Sequence, residues 1–352
     1  RSMQMPPSFY HQQATEAEIA LRMLKSSEKI LHFLLQDGMV QAAGRIIAAL
    51  RYLNNTGLAD TILHAMQAAG FNIIETNPFQ APPLLLSPHL SSPYSARIEA
   101  LWQKTRGDII KQFPPPVKSV KKQQQIIKAI DSLYAQDAYH SLSIEGYQVS
   151  EELIEKIAHG LWQPDKNDSD RQQVDAMAAK GYYEAFKLVK NTIHKMLNSK
   201  KPLQILQAAL PDWYLALFSP AVTAGIVPAE RLAGYRNQPV YIRNAMHVPP
   251  PSSAVRDCMD SLFHCMQKEN NPAVIAVLTH WLIGFIHPYV DGNGRMARFA
   301  MNAILVSHGY PWTIIHVEKR KEYLDALEQA SIASDITAFT QLIIEELENT
   351  SP

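Results

Sequence analysis

Twelve consecutive residues, His287 to Arg298, read HPYVDGNGRMAR. They hold a histidine, a carboxylate, an asparagine, two glycines and two arginines, and an apolar helical stretch lies on each side. Gly292 and Gly294 permit tight backbone geometry and let a ligand come close to main-chain N–H groups. The turn opens directly into a helix, whose first N–H groups are unpaired and whose N-terminus carries partial positive charge. Arg295 and Arg298 fall on the first turn of that helix, so both side chains lean to one side. A backbone nest with two guanidinium groups suits a polyphosphate. Asp291 offers a hard oxygen, the ligand type for magnesium held mainly by substrate phosphates. His287, at the rim of the turn, is suited to act as a general base near neutral pH. A helix connection could supply a histidine–proline pair and a glycine. An Asp, an Asn and two Arg in one short turn are costly unless an anion compensates them.

Two common phosphate sites do not fit. No lysine followed by Ser or Thr closes the glycine pattern, as a P-loop requires. A helix rather than a strand precedes it, unlike a dinucleotide fingerprint. His280 and His287 are spaced like a metal pair, but no third ligand is evident, and a packed His280 is expected instead. His140, beside Ser141, completes no catalytic triad.

These residues need a scaffold. The chain has 352 residues, 47% hydrophobic and 19% charged, which can bury a sizeable core and does not read as disorder. A formal net charge of zero gives no overall basic field for nucleic acid or an anionic membrane. No stretch approaches the roughly twenty apolar residues that span a bilayer, and no signal-peptide pattern is expected. Cys258 and Cys265, on one expected helix, would lie about 10 Å apart. That is beyond disulfide reach and points to a reducing, cytosolic setting.

Apolar spacing predicts helices over 14–36, 39–53, 57–69, 94–112, 168–197, 252–268, 271–286, 293–308, 318–331 and 335–348, with one or two more over 118–146. Ser150, followed by Glu151 and Glu152, reads as a helix N-cap. The Pro- and Ser-rich stretch 77–93 suits a loop or a domain link. Lys118, Lys121 and Lys122 could touch phosphates, although a solvated helix face is favoured. One hairpin is expected, PVYIRNAMHV at 239–248, turning near Asn244–Ala245.

The 287–298 stretch resembles the Fic signature, H-P-F-x-[DE]-G-N-G-R-x-x-R, departing from it only at Tyr289, where phenylalanine is usual. GYRNQPVYIRNAMHVPPP resembles the family's flap, and GYPWTIIHVEKRKEYLDALEQAS its segment after the signature. The resemblance implies an all-α Fic fold with a small β-hairpin flap. It implies a catalytic core over 201–350 and a helical region carrying an inhibitory motif over 116–200; residues 1–115 lie outside the resemblance and are expected to form an accessory region, helical or winged-helix-like.

The activity implied is transfer of AMP from ATP to a Ser, Thr or Tyr hydroxyl of a protein target, or of the protein itself. His287 would deprotonate the hydroxyl. Asp291 would hold Mg²⁺, or Mn²⁺ in its place, against the α- and β-phosphates. Gly292, Asn293 and Gly294 would cradle the phosphates, with Arg295 at the α/β region and Arg298 on the γ-phosphate. Val240, Tyr241 and Ile242 would clamp the target as an added strand. Tyr323 would line the adenine pocket, where Ser331 stands in place of an asparagine found in some members.

SLSIEG at 141–146 matches the family's inhibitory motif, [ST]-x-x-x-E-[GN]. Ser141 and Glu145 share one helix face, and Glu145 is expected to pair with Arg298 in the place of the γ-phosphate. Two other readings stay open. Glu145 could activate water to remove AMP, or the protein could be a nucleotide-sensing regulator with little turnover. The expected partners are ATP, a protein target and a second copy in a homodimer, with no membrane, and nucleic acid only through the N-terminal region. The expected location is cytoplasmic, or that of a secreted effector.

Overall fold

The computed structural model describes residues 7–24, 26–79, 92–116, 123–162, 170–232 and 234–350. Lys118, Lys121 and Lys122 lie outside the described residues, as does most of the proline-rich stretch 77–93. The chain divides into two compact units, 1–104 and 105–352.

The first unit contains α1 (Pro7–Gln12), α2 (Ala14–Arg22), α3 (Glu28–Gln36), α4 (Val40–Tyr52), α5 (Thr56–Ala68) and the first part of α6 (Pro93–Gln112). The helix expected over 14–36 is two helices, α2 and α3, parted near Leu24 and Ser26. Its core is built on Leu34, Ile47, Leu50, Ile62 and Met66. These are positions at helical spacing, and burying them is what holds short helices together in water.

The second unit carries α7 (Gln123–Ile144), α8 (Glu151–Ala158), α9 (Asp170–Leu197), α10 (Pro202–Thr223), α11 (Val255–Lys268), α12 (Pro272–Ile286), α13 (Asn293–Ser307), α14 (Arg320–Ala333) and α15 (Thr337–Thr350). The all-α architecture is as the sequence implies. Ser150 caps α8, its hydroxyl accepting from Leu153 N at 3.2 Å. Helix α10 is the longest element that pattern alone misses. Pro211 and Pro220 lie inside it and read as breakers, yet its buried face of Leu206, Leu210, Trp213, Tyr214 and Leu217 packs on α9.

Helix α12 is the axis of the unit. Asn271 caps it by accepting from Ala273 N and Val274 N, and Pro272 pre-sets its first turn. Apart from Pro272 and Gly284, its whole length is buried. A helix apolar all round belongs in a core, and α12 packs on α13, α11 and α14. Cys258 and Cys265, on α11, are both buried.

Helix α7 packs on α8 and α9, and its buried Asp137 ties it to two other elements. Asp137 accepts from Tyr182 Oη on α9 at 2.7 Å and from Trp312 Nε1, beyond α13, at 2.9 Å. Burial pushes its carboxyl up to about 6 from 3.8, despite those donors and the nearby Arg298. The folded state therefore holds this proton more tightly than the unfolded chain. The stability so gained is full below about pH 3.8 and is lost as pH rises through about 6. Asp137→Asn keeps an acceptor and a rotatable partner but cannot ionise. Urea unfolding should find it about as stable as wild type at pH 4 and more stable by about 1–3 kcal/mol at pH 7. An equal difference at both pH values would contradict this account.

Candidate functional site

Helix α12 stops at His287, whose φ of 51° and ψ of 59° are left-handed. Such a conformation is uncommon outside glycine and marks a constrained position. The following proline cannot continue the helix. The His287 ring is mostly buried, with Nδ1 at 3.4 Å from the carbonyl of Gly284. A carbonyl only accepts, so this contact places the proton on Nδ1 and leaves the Nε2 lone pair free. Burial and the nearby Arg236 hold the His287 pKa below its usual value, against opposing pulls from the Gly284 carbonyl, Glu145 and Asp291. The ring is therefore neutral near pH 7.

The turn beyond it is pinned from both sides. Asn293 accepts from Tyr289 N and donates to Tyr289 O, both at 2.9 Å. Its side chain thus staples the loop. Tyr289, the departure from the family pattern, stacks on Tyr214 of α10 with ring centroids 4.1 Å apart. Gly292 has φ 79°, and a Cβ there would lie 2.9 Å from the Phe218 ring, so no other residue fits without displacement. Asp291 is half-exposed, with Oδ1 accepting from Gly292 N at 2.6 Å and lying 3.6 Å from Arg295 Nη2.

Arg295 is fully buried. Its guanidinium lies between the rings of Tyr147 and Phe218, at 5.2 and 5.1 Å from their centroids. The Tyr147 hydroxyl accepts from its Nη2 at 3.5 Å. Its Nε has no hydrogen-bond partner among the described residues. Aromatic faces hold a cation in place without neutralising it.

Arg298, one turn further on, is engaged by α7. Its Nε donates to Ser141 Oγ at 2.8 Å, and its Nη2 donates to Ser141 O at 3.0 Å and to Glu145 Oε1 at 2.6 Å. Its Nη1 reaches Tyr323 Oη at 3.4 Å. Burial raises the Glu145 carboxyl, but Arg298 and Arg295 outweigh it and hold the group below the usual carboxylate range. Burial opposes the charge on Arg298 as well, and Glu145 more than offsets it. Arg320 Nε donates to Ile144 O at 2.7 Å, fixing the end of α7 to the start of α14. Glu145 Oε1 sits over the first turn of α13, where a Cβ on Gly294 would lie 2.2 Å from it.

A cavity of about 430 Å³ opens beside this cluster, lined by Glu145, His287, Gly294, Arg298, Tyr323 and Ile242 among others. Tyr323 and Ser331 both line it, and both hydroxyls are already engaged. Tyr323 Oη lies 2.8 Å from His280 Nε2, and Ser331 Oγ accepts from Trp281 Nε1 at 3.0 Å while donating to Leu327 O. His280 is buried, with Nδ1 at 3.3 Å from Met301 Sδ and Nε2 on Tyr323 Oη, and burial pushes its pKa well down, so it is a neutral packed histidine.

The flap forms without the expected β-ladder. Residues 239–248 are extended arms around a turn at Arg243–Asn244, closed by Ala245 N donating to Ile242 O at 3.2 Å. That turn is one residue earlier than expected. The groups that would pair across a ladder are taken elsewhere. Met246 N and His247 N donate to Glu328 of α14, and the carbonyls of Gln238 and Pro250 accept from Arg236. Val240 is half-buried, Ile242 lines the cavity, and Tyr241 points out at 81% exposure. Arg236, Tyr147, Phe218 and Glu328 were not singled out from sequence. Tyr147 directly follows the 141–146 motif and Arg236 lies in the flap stretch, but nothing in either pattern shows what the side chain touches.

Residues 211–305 match the sequence profile of the Fic/DOC family. The chain is 30% identical over 229 residues to "Protein adenylyltransferase Fic" of Nematostella vectensis, covering 63% of this chain and 49% of that protein. It is 30% identical over 227 residues to the protein of the same name from Drosophila virilis, covering 63% and 43%. The chain thus spans half or less of the length of these curated relatives. Among solved structures, Fic-1 from C. elegans aligns with a TM-score of 0.54 at 18% identity, over 97% of this chain and 96% of that one. This likeness shows the fold. No helix among the described residues is long and apolar enough to cross a membrane.

The contact between Gly294 and Glu145 generates a test. Gly294→Ala should push Glu145 off Arg298 and lower stability by about 1–2 kcal/mol, within the range seen for coupled neighbours. In a Glu145→Gly background the same substitution should cost almost nothing. Denaturant melts of the four proteins measure this coupling, and purely additive effects would place Glu145 away from the turn.

Proposed function

We propose, from the match of residues 211–305 to the Fic/DOC family and the geometry of the turn, that this chain is a protein adenylyltransferase held in check by Glu145. It moves AMP from ATP to a Ser, Thr or Tyr hydroxyl of a protein target or of itself. The observation that carries this reading is the pair of buried guanidiniums at the N-terminus of α13. Arg295 keeps an Nε without a hydrogen-bond partner among the described residues, and Arg298 is neutralised by a carboxylate just past the end of α7. A buried cation without a full counter-ion is costly, and a polyphosphate on this helix terminus supplies the anion.

The chain's own groups then have definite tasks. His287, neutral with its proton on Nδ1, takes the target hydroxyl proton at Nε2. The amides of the 292–294 turn and Arg295 hold the α- and β-phosphates and stabilise charge that develops as the pyrophosphate leaves. Arg298 holds the γ-phosphate once Glu145 has left it. Asp291, a single half-exposed carboxylate beside the nest, suits Mg²⁺ that arrives with its nucleotide. That ion, when bound, neutralises phosphate charge. No cluster of three or more His, Cys, Asp or Glu among the described residues offers a protein-only metal cage.

The pairing of Glu145 supports inhibition over water activation. Its Oε1 is committed to Arg298 at 2.6 Å, and its carboxyl is held below the usual range, which makes it a weak base. With Glu145 on Arg298, ATP lacks its γ-phosphate anchor and its α-phosphate is misaligned for attack.

Two variants test the proposal with α-phosphate-labelled ATP and Mg²⁺. Glu145→Gly should incorporate AMP into itself or a target at least about tenfold faster than wild type, if freeing Arg298 restores one charge-assisted bond. No gain would remove the inhibitory role. Adding His287→Ala to Glu145→Gly should cut incorporation by about 10²–10⁴ while leaving ATP affinity largely intact. Equal rates with and without His287 would remove its role as base.

A further inference from the structure

Arg236 is a buried arginine with no carboxylate on its guanidinium among the described residues. It is 3% exposed, and each hydrogen bond from its guanidinium goes to a main-chain carbonyl. Nε donates to His287 O at 2.7 Å, and Nη2 donates to Ile286 O at 3.3 Å and to Pro250 O at 2.5 Å. Nη1 donates to Gln238 O at 3.1 Å. The Arg236 main-chain N–H adds a bond to Pro288 O at 2.8 Å.

The acceptors explain why a buried cation is tolerated here. The last carbonyls of a helix have no intrahelical partner and carry the negative end of its dipole. Helix α12 ends abruptly at a left-handed His287 followed by proline, so the carbonyls of 286, 287 and 288 are left in the core without helical partners. Arg236 takes all three. Its planar fork also reaches one carbonyl on each side of the flap, just outside its arms, a geometry that a lysine ammonium cannot reproduce.

We propose that Arg236 is a positioning residue that locks the left-handed turn bearing His287 to the root of the flap, so that the base and the target-docking segment hold one fixed spacing. The proposal rests on the adenylyltransferase reading. The flap has no β-ladder of its own, and Arg236 replaces that ladder at its base. Glu328 holds the other end, near the tip, through Met246 N and His247 N. Arg236 also faces His287 electrostatically. The charged groups acting on that ring are Arg236, which lowers its pKa, and Glu145 and Asp291, which raise it. Removing the guanidinium charge therefore raises the pKa of His287, while replacing it with another cation does not.

The full chain carrying Glu145→Gly serves as parent, with Arg236→Lys and Arg236→Met added in turn. Three quantities are read: AMP incorporation at saturating ATP, ATP affinity by calorimetry, and the His287 pKa by NMR of ¹³C-labelled histidine. Arg236→Lys should keep the parental His287 pKa and ATP affinity but lose about 10²-fold in rate, the scale of a misplaced catalytic group. Arg236→Met should lose rate and also titrate His287 at higher pH. A parental rate in Arg236→Lys overturns the clamp, as does a loss of ATP affinity equal to the loss of rate. An unmoved His287 pKa in Arg236→Met overturns the contact between the two residues. If Arg236→Met does not fold, Arg236→Lys decides alone. A parent that transfers no AMP sinks the adenylyltransferase reading, while the histidine titration still decides whether Arg236 acts on His287.

Discussion

A guanidinium cannot be deprotonated to escape a buried site, so Arg298 must be satisfied wherever the fold puts it. The second unit is organised around that constraint. Helix α13 carries Arg298 into the core, and α7 brings Ser141 and Glu145 to it from one side. Tyr323 of α14 meets it from another side and is backed by His280 of α12. Arg320 then fixes the end of α7 where Glu145 begins. Removing one partner of a buried ion pair usually costs about 3–5 kcal/mol. In the proposed account the nucleotide supplies a second anion for the same seat. The contact that completes the resting core is then the one that must open for chemistry.

The same logic governs the turn between α12 and α13. Polar groups at the abrupt helix end are met by particular residues: Asn293 for the loop interior, Arg236 for the carbonyls of 286 to 288. Aromatic rings of α10 fill the space beneath, Tyr214 under Tyr289 and Phe218 against Gly292 and Arg295. The site is rigid where phosphates would lie and open toward the cavity. A catalytic constellation needs this arrangement, because small displacements of reacting groups cost large factors in rate.

Much of this was legible in the sequence, and for identifiable reasons. Helices α12 and α13 declare themselves through long apolar runs, α12 also through its Asn271 cap, and the polar turn between them stands out against that background. The pairing of Ser141 and Glu145 on one face follows from helical geometry alone. Legibility ends where contacts between distant segments decide the outcome. Helix α10 hides behind two internal prolines, because its stability comes from packing on α9 rather than from propensity. The flap reads as a hairpin because its residue types favour one, yet Glu328 and Arg236 take the groups a ladder would use. Ser331 reads as a base-recognition position, yet its hydroxyl serves Trp281. No local pattern marks Arg236, whose guanidinium partners are main-chain atoms 2 to 51 residues away.

The central claim is that Glu145 occupies, on Arg298, the seat of the γ-phosphate. Calorimetric dissociation constants for ATP and ADP, measured with Mg²⁺ on wild type and on Glu145→Gly, test it most directly. The account predicts that wild type binds the two nucleotides about equally, since the third phosphate finds its arginine taken. It predicts that Glu145→Gly prefers ATP by about tenfold or more, the gain from a charge-assisted bond worth about 1.5–3 kcal/mol. The same ATP-to-ADP ratio in both proteins would contradict it.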